Sequence, residues 1–182
     1  MIGPMLQAIL IPIFASAIAL AVGRYLKEKT GWIALAASLY STCLLGGIFL
    51  ATYKGTKVFE FYGRLPAVGK VYFLGDGLSA PIALTIAVLC TVIAGYSMGY
   101  MKEQPHLGAY FALYLLYEAG MIGTVLSANM VLFFVFFELM LLPSWALIAV
   151  WGTGDRIRIA FKYFMFTEAG ALSLLALSLI HI

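Results

Sequence analysis

The sequence predicts an all-α integral membrane protein with about six transmembrane helices. Of its 182 residues, 64% are hydrophobic and only 10% charged, with a mean hydropathy of +1.02. An ordinary globular domain is about a quarter charged. So few charges cannot cover a water-facing surface, and so apolar a chain cannot remain solvated as a disordered one. The apolar residues also fall into runs of about twenty, the length that crosses a ~30 Å hydrocarbon core.

Six runs qualify: Met5 to Gly23, Gly31 to Tyr53, Leu78 to Met101, Leu107 to Leu126, Asn129 to Trp151 and Ile159 to Ile180. They divide the chain into residues 1–106, with helices one to three and an external loop over about 54–75, and residues 107–182, with helices four to six. The first run has no basic segment before it and meets its first charge at Arg24, so it reads as a span rather than a cleaved signal peptide. Helix three has a legible start: Asp76 or Ser79 can cap its amides, and Pro81 falls in the first turn, where a missing N–H costs little. Gly95 and Gly99 form a small-xxx-small pair on that helix and are expected to serve close packing.

Ser127, Ala128 and Asn129 leave room only for a tight turn, which makes helices four and five antiparallel neighbours. Pro143 lies inside helix five and is expected to kink it, a break that neighbouring helices and waters absorb in a membrane. Phe133, Phe134, Phe136 and Phe137 circle the same helix and read as packing or lipid contact.

Lysine and arginine set the expected orientation. Arg24, Lys27, Lys29, Lys102, Arg156, Arg158 and Lys162 follow the odd-numbered helices, whereas Lys54, Lys57, Arg64 and Lys70 follow helix two. Seven against four places the odd loops in the cytoplasm and the N-terminus outside. Cys43 and Cys90 lie in separate apolar spans, and the histidines are His106 in a loop and His181 at the end. No disulfide framework, zinc site, iron–sulfur site or intramembrane haem ligand set follows from these. Gly152 and Gly154 lack the third glycine and the flanking strand of a nucleotide loop. No cofactor, metal or nucleic-acid partner is expected.

The informative residues are the acids. Glu28, Glu60, Asp76, Glu103 and Asp155 fall in loops or at a helix entrance, but Glu118, Glu138 and Glu168 fall mid-span in helices four, five and six. A charged residue at a helix centre costs roughly 2.5–3.5 kcal/mol on insertion scales, and such residues usually face a polar cavity or a partner. At ~1.5 Å rise per residue, Glu118 and Glu138 both lie about 14–15 Å from the turn between their helices, near the midplane. Glu168 counts to within about two turns of that depth. Low dielectric penalises the ionised carboxyl, so such a layer can take and release protons, and a nearby lysine would shift the balance. Lys162 sits about one turn inside helix six, where a relay role competes with interfacial anchoring. The competing reading of the acids is neutral carboxyls hydrogen-bonded to neighbouring helices.

The stretch "LYEAGMIGTVLSANMVLFFVFFELMLLPSWALIAVWG" (Leu116 to Gly152) resembles the antiporter-like membrane subunits of respiratory complex I, membrane-bound hydrogenases, sulfur-reducing complexes and Mrp sodium/proton antiporters. "GDGLSAP" (Gly75 to Pro81) and "FKYFMFTEAGALSLLALSLI" (from Phe161) resemble the openings of that family's third and sixth helices. The resemblance covers roughly residues 70–180. It implies that Glu138 is the family's central relay glutamate, that Glu118 is an acid often present on helix four, and that Lys162 is a basic residue at the start of helix six. Glu168 departs from the Gln or Leu usual before "AGSL".

The resemblance further implies about fourteen helices with two inverted repeats, whose relay lysine sits on a broken helix seven. Helices one to six are thus an incomplete antiporter-like fold, and a second chain is expected to supply the missing helices and that lysine. The function implied is that of a proton- or cation-translocating subunit, or a split part of one, in a redox-driven complex of the cell membrane. Its electrons would run through iron–sulfur partner subunits, with no redox site in this chain. An Mrp-type antiporter subunit and a scaffold without an ion pathway of its own are the alternatives.

Overall fold

The computed structural model describes residues 3–23, 25, 29–65 and 69–180. Six helices are long and apolar enough to span a membrane. They are α1 (Pro4–Val22), α2 (Thr30–Tyr53), α3 (Ser79–Tyr100), α4 (Leu107–Leu126), α5 (Met130–Trp151) and α6 (Arg156–Ile180). Each agrees with an expected run to within a few residues, because run length against bilayer thickness sets the boundaries. Arg24, Lys27, Glu28 and His181 lie outside the described residues.

Helix α4 is the centre of the bundle. Over its spanning window 56% of residues are buried, against 11% for α6, so α6 presents most of its surface outward. The two larger of three apolar clusters lie toward opposite ends of the bundle. Met5, Ile9, Leu45, Ile48, Phe73, Ile122 and Leu126 form one end, and Ala19, Ala34, Phe111 and Leu115 form the other. Helices α4 and α5 approach closely at glycines: a Cβ on Gly120 would stand 2.6 Å from the Met140 amide nitrogen, and one on Gly123 would strike the Phe136 ring. Gly95 and Gly99 do not play the close-packing role expected of them. A Cβ at Gly99 would meet nothing within 4 Å, and one at Gly95 would meet only Leu35 Cδ1, at 3.8 Å.

The segment expected to be an external loop is instead a β-hairpin, β1 (Val58–Leu65) paired antiparallel with β2 (Gly69–Gly75). Its runs of valine, phenylalanine and tyrosine suit strands. Between Phe61 and Gly63 the register shifts, and Gly63 takes φ +122°, a backbone region in which a side chain is strained. Glu60, expected as a loop acid, is buried. Its carboxylate accepts hydrogen bonds from the Met5 and Leu6 amides at 2.8 and 3.1 Å and from the Tyr62 hydroxyl at 2.6 Å. The Tyr62 oxygen in turn accepts from the Gly3 amide at 2.8 Å. The hairpin thus caps α1, whose own N-cap, Gly3, has no side chain to do so.

On its other strand the hairpin holds the α4–α5 turn. The Asn129 side-chain amide donates to the Lys70 carbonyl at 3.2 Å, and Phe73 forms an isolated bridge with Ser127. Asn129 also caps α5 by accepting from the Val131 amide at 2.8 Å. At α3 the expected cap forms reciprocally. Asp76 Oδ1 accepts from the Ser79 amide at 2.8 Å, while Ser79 Oγ accepts from the Asp76 amide at 3.0 Å. These bonds, led by that of the Ser79 amide, hold the Asp76 carboxyl below the usual range. Helix α5 runs on through Pro143 to Trp151, and α1 likewise runs through Pro12.

Candidate functional site

The three mid-span acids occupy two places around the α4–α5 pair. Glu118 is fully buried on the α1–α2 side of α4. Small residues on α2 (Ala34, Ala37, Ser38, Ser41) form the face that meets it, and their size lets the helices approach. Ser38, also fully buried, donates its hydroxyl proton to Glu118 Oε2 at 2.5 Å. Cys90 and Tyr114 lie close to the same carboxyl, and Tyr114 donates to the Cys90 carbonyl at 2.6 Å. The second oxygen, Glu118 Oε1, is shielded from solvent and meets no hydrogen-bond partner among the described residues.

Glu138 looks the other way, into the seam between α5 and α6. Its carboxyl interacts directly with that of Glu168, close enough for one to donate a hydrogen bond to the other. Glu138 Oε1 and Glu168 Oε2 are both shielded and unpartnered among the described residues. The seam is closed toward the α5–α6 loop by a hydrogen bond of 3.0 Å between the Ser144 and Tyr163 hydroxyls and by an edge-on contact of Trp145 with Phe164. Pro143 offers no amide to the Leu139 carbonyl, so the backbone beside Glu138 carries an extra acceptor.

The expected layer is therefore present in depth but split in direction. With Gly120 against Met140 and Gly123 against Phe136, the α4–α5 register sets Glu118 and Glu138 about one turn apart along the axis, ~6 Å. Glu138 and Glu168 are brought together. No interaction among the described residues joins Glu118 to either. Lys162 is exposed on α6, six residues before Glu168, which is ~9 Å along the axis and on another face.

Beside Glu118 and at the loop end of the α5–α6 seam stand hydroxyls that sequence reading did not single out. Tyr117, adjacent to Glu118, lies near both Cys90 and Tyr163, and Tyr163 reaches Ser144. Ser38 was missed as well. A serine among alanines on an apolar helix is a weak signal, legible only once an acid is known to face it.

A bundle of six apolar helices, with one fully buried and two half-buried acids in mid-span, defines a multi-pass membrane subunit. Two family profiles match the chain: "NADH-Ubiquinone oxidoreductase (complex I), chain 5 N-terminus" over residues 69–111 and "NADH:quinone oxidoreductase/Mrp antiporter, TM" over residues 127–182. The chain belongs to the antiporter-like membrane subunits shared by complex I and the Mrp antiporters. It is 32% identical over 176 residues to NAD(P)H-quinone oxidoreductase chain 4 of Gloeobacter violaceus, covering 94% of this chain and 32% of that one. It is 30% identical over 171 residues to Na(+)/H(+) antiporter subunit A1 of Staphylococcus haemolyticus, covering 92% of this chain and 21% of that one.

The fold is that of a chain in the membrane-bound sulfane sulfur reductase, an archaeal respiratory membrane complex, with TM-score 0.83 and 21% identity over 94% of this chain and 35% of that one. A chain of the Mrp complex from Dietzia sp. gives TM-score 0.77 and 24% identity over 96% of this chain and 19% of that one. The chain thus spans about a third or less of the length of these relatives.

Proposed function

We propose that this chain forms part of an ion-translocating membrane subunit in a redox-driven pump related to complex I, and that its buried glutamates are the proton carriers. The observation that carries the reading is the Glu138–Glu168 pair: two carboxyls in contact at mid-span, each with a shielded oxygen that meets no partner among the described residues. Such a pair holds one proton between its members more readily than two negative charges. A cation brought near favours the doubly ionised form and expels that proton; withdrawing the cation draws a proton back. Lys162 is exposed and away from the pair, so the cation comes from a lysine beyond these residues, on an element that packs against the open α6 surface.

Glu118, with its Ser38 partner, is a second loading place, and Tyr117, Tyr163 and Ser144 supply hydroxyls from beside it to the loop end of the α5–α6 seam. Electrons run through iron–sulfur subunits of the same assembly. The complex lies in the cell membrane with the N-terminus and hairpin outside, as the lysine and arginine distribution favours.

The second reading is an Mrp-type sodium/proton antiporter subunit. The likeness to Na(+)/H(+) antiporter subunit A1 and to the Mrp complex supports it. The deciding experiment is Glu138→Gln in the assembled complex, reconstituted in vesicles with a pH-sensitive dye inside. A relay loses at least ~10-fold in proton transport, by the usual scale of a lost proton-transfer group. Undiminished transport would leave the chain as a scaffold. Transport driven by an electron donor marks the redox pump, and transport driven by a sodium gradient alone marks the antiporter.

A further inference from the structure

On the membrane face opposite the hairpin, a groove of about 620 Å³ opens where the start of α2, the end of α3 and the start of α4 converge. Lys29 and Lys102 stand at its mouth, Trp32 and Phe111 line its apolar wall, and Gly95 and Gly99 form its floor. Both lysines are exposed, and Trp32 is 64% exposed. The floor is open at Gly99, where a Cβ would meet nothing within 4 Å, and nearly so at Gly95, where it would meet only Leu35 Cδ1 at 3.8 Å. Behind it the helices are tight, since a Cβ on Gly31 would stand 2.5 Å from Met98 Cγ and 3.1 Å from Phe111 Cζ. The groove is thus a gap left on one side of a close contact.

We propose that this groove binds an anionic phospholipid, its phosphate between Lys29 and Lys102 and one acyl chain along Gly95 and Gly99. Four features converge on that occupant. The two ammonium groups sit at helix ends, at the level of the headgroups, where a basic pocket between spanning helices suits a lipid phosphate. Trp32 is an interfacial side chain with an apolar body and a polar N–H. The start of α2, where the Lys29 side chain makes no capping bond, adds the positive end of a helix dipole. The glycine floor is apolar and side-chain-free, which admits a hydrocarbon chain but gives a free phosphate nothing to bind.

The test is photocrosslinking in the intact complex. Phosphatidylglycerol and phosphatidylcholine carrying the same diazirine acyl chain are each reconstituted with the complex, and labelled peptides are mapped by mass spectrometry. Two lysines near the headgroup layer set an expected ~10-fold preference of the 29–32 and 95–102 segments for the anionic probe. Lys29→Gln with Lys102→Gln brings labelling down to the phosphatidylcholine level, whereas Lys29→Arg with Lys102→Arg keeps it, and both variants are checked for assembly by size. Excess inorganic phosphate leaves labelling unchanged. Equal labelling by the two probes, no labelling of these segments, persistence in the glutamine variant, or displacement by phosphate would each overturn the assignment.

Discussion

The Ser38 hydroxyl on α2 donates a 2.5 Å hydrogen bond to the Glu118 carboxyl on α4, joining a helix of the N-terminal set to the most buried acid of the bundle. Both residues are fully enclosed, so neither can turn to water for a replacement partner. Removing one partner of a buried hydrogen bond to a carboxyl costs about 1–3 kcal/mol, because the remaining group stays desolvated. Ser38→Ala is therefore expected to destabilise the chain and slow coupled transport several-fold, and Ser38→Thr to restore most of both. Difference infrared spectroscopy checks the bond itself: the Glu118 carboxyl band should move in Ser38→Ala and return in Ser38→Thr. An unmoved band would mean that the serine only fills space.

The Glu138–Glu168 contact predicts coupling between the two side chains. Glu138→Gln is expected to abolish most transport, and Glu168→Gln to reduce it less, since a glutamine at 168 can still donate a hydrogen bond to Glu138. Residues in direct contact give non-additive effects, commonly 0.5–3 kcal/mol of interaction. The double variant should then be no worse than Glu138→Gln alone. Transport rates of the three variants in the same vesicles decide it, and multiplicative losses would mean that the two acids act separately.

The hairpin makes a third case, through Glu60 and Tyr62. Glu60→Ala removes the acceptor of the Met5 and Leu6 amides and of the Tyr62 hydroxyl at once, at an expected cost of about 1–3 kcal/mol. Hydrogen exchange should rise in residues 3–8 and 58–75 and little elsewhere. Burial first, and the bond to Glu60 second, push the Tyr62 hydroxyl up to about 12 from its ordinary value of 10.0. The neutral phenol is thus the form that folding favours. Its contribution is whole below about pH 10 and is lost as pH rises toward 12. The phenolate absorbance titration of Tyr62→Phe, subtracted from that of the parent, should isolate one late-titrating tyrosine.

How much of this was legible beforehand depends on the range of the interaction. The helices were, because ~20 apolar residues against a fixed membrane thickness is a local signal. So was the α3 start, where Asp76 and Ser79 cap each other three residues apart. The hairpin was not: its charges at Lys57, Arg64 and Lys70 marked it as a loop, and the alternation that buries Glu60 while exposing Phe59 and Phe61 is short. Nor could Glu60 be read as a cap when its helix begins 55 residues earlier. At the site, depth along the helices was countable but direction was not. Helices apolar on every side give no periodic stripe to say that Glu118 faces α2 and Glu138 faces α6.

Asp76 offers a prediction with the opposite pH sign. Its carboxyl is held below the ordinary range by the Ser79 amide and hydroxyl and the Leu78 amide, so folding favours the ionised form. That contribution is present above about pH 4 and is lost as pH falls below it. Asp76→Ala should cost about 1 kcal/mol near neutral pH, as for other lost caps, and Asp76→Asn much less. The difference in thermal midpoint between parent and Asp76→Ala in detergent should shrink on acidification. A constant difference would place the effect outside the cap.

Gly120 carries the geometry of the site itself. A Cβ there would stand 2.6 Å from the Met140 amide nitrogen and 2.8 Å from its Cα, and backbone cannot swing aside as a ring can. Gly120→Ala must therefore push α4 and α5 apart at a level between Glu118 and Glu138, with an overpacking cost of about 1–3 kcal/mol. Gly123→Ala meets only the Phe136 side chain, which can rotate, and should cost less. Gly47→Ala, on α2, meets nothing within 4 Å and lines neither the acid sites nor the lipid groove, so it serves as the control that leaves transport intact. Both positions lie within five residues of Glu118, so a general loss of packing would lower transport in proportion to stability. A steeper fall in transport for Gly120→Ala, at a stability matched by Gly123→Ala, would show that the spacing of the α4–α5 pair tunes the relay. Equal transport at equal stability would show that it does not.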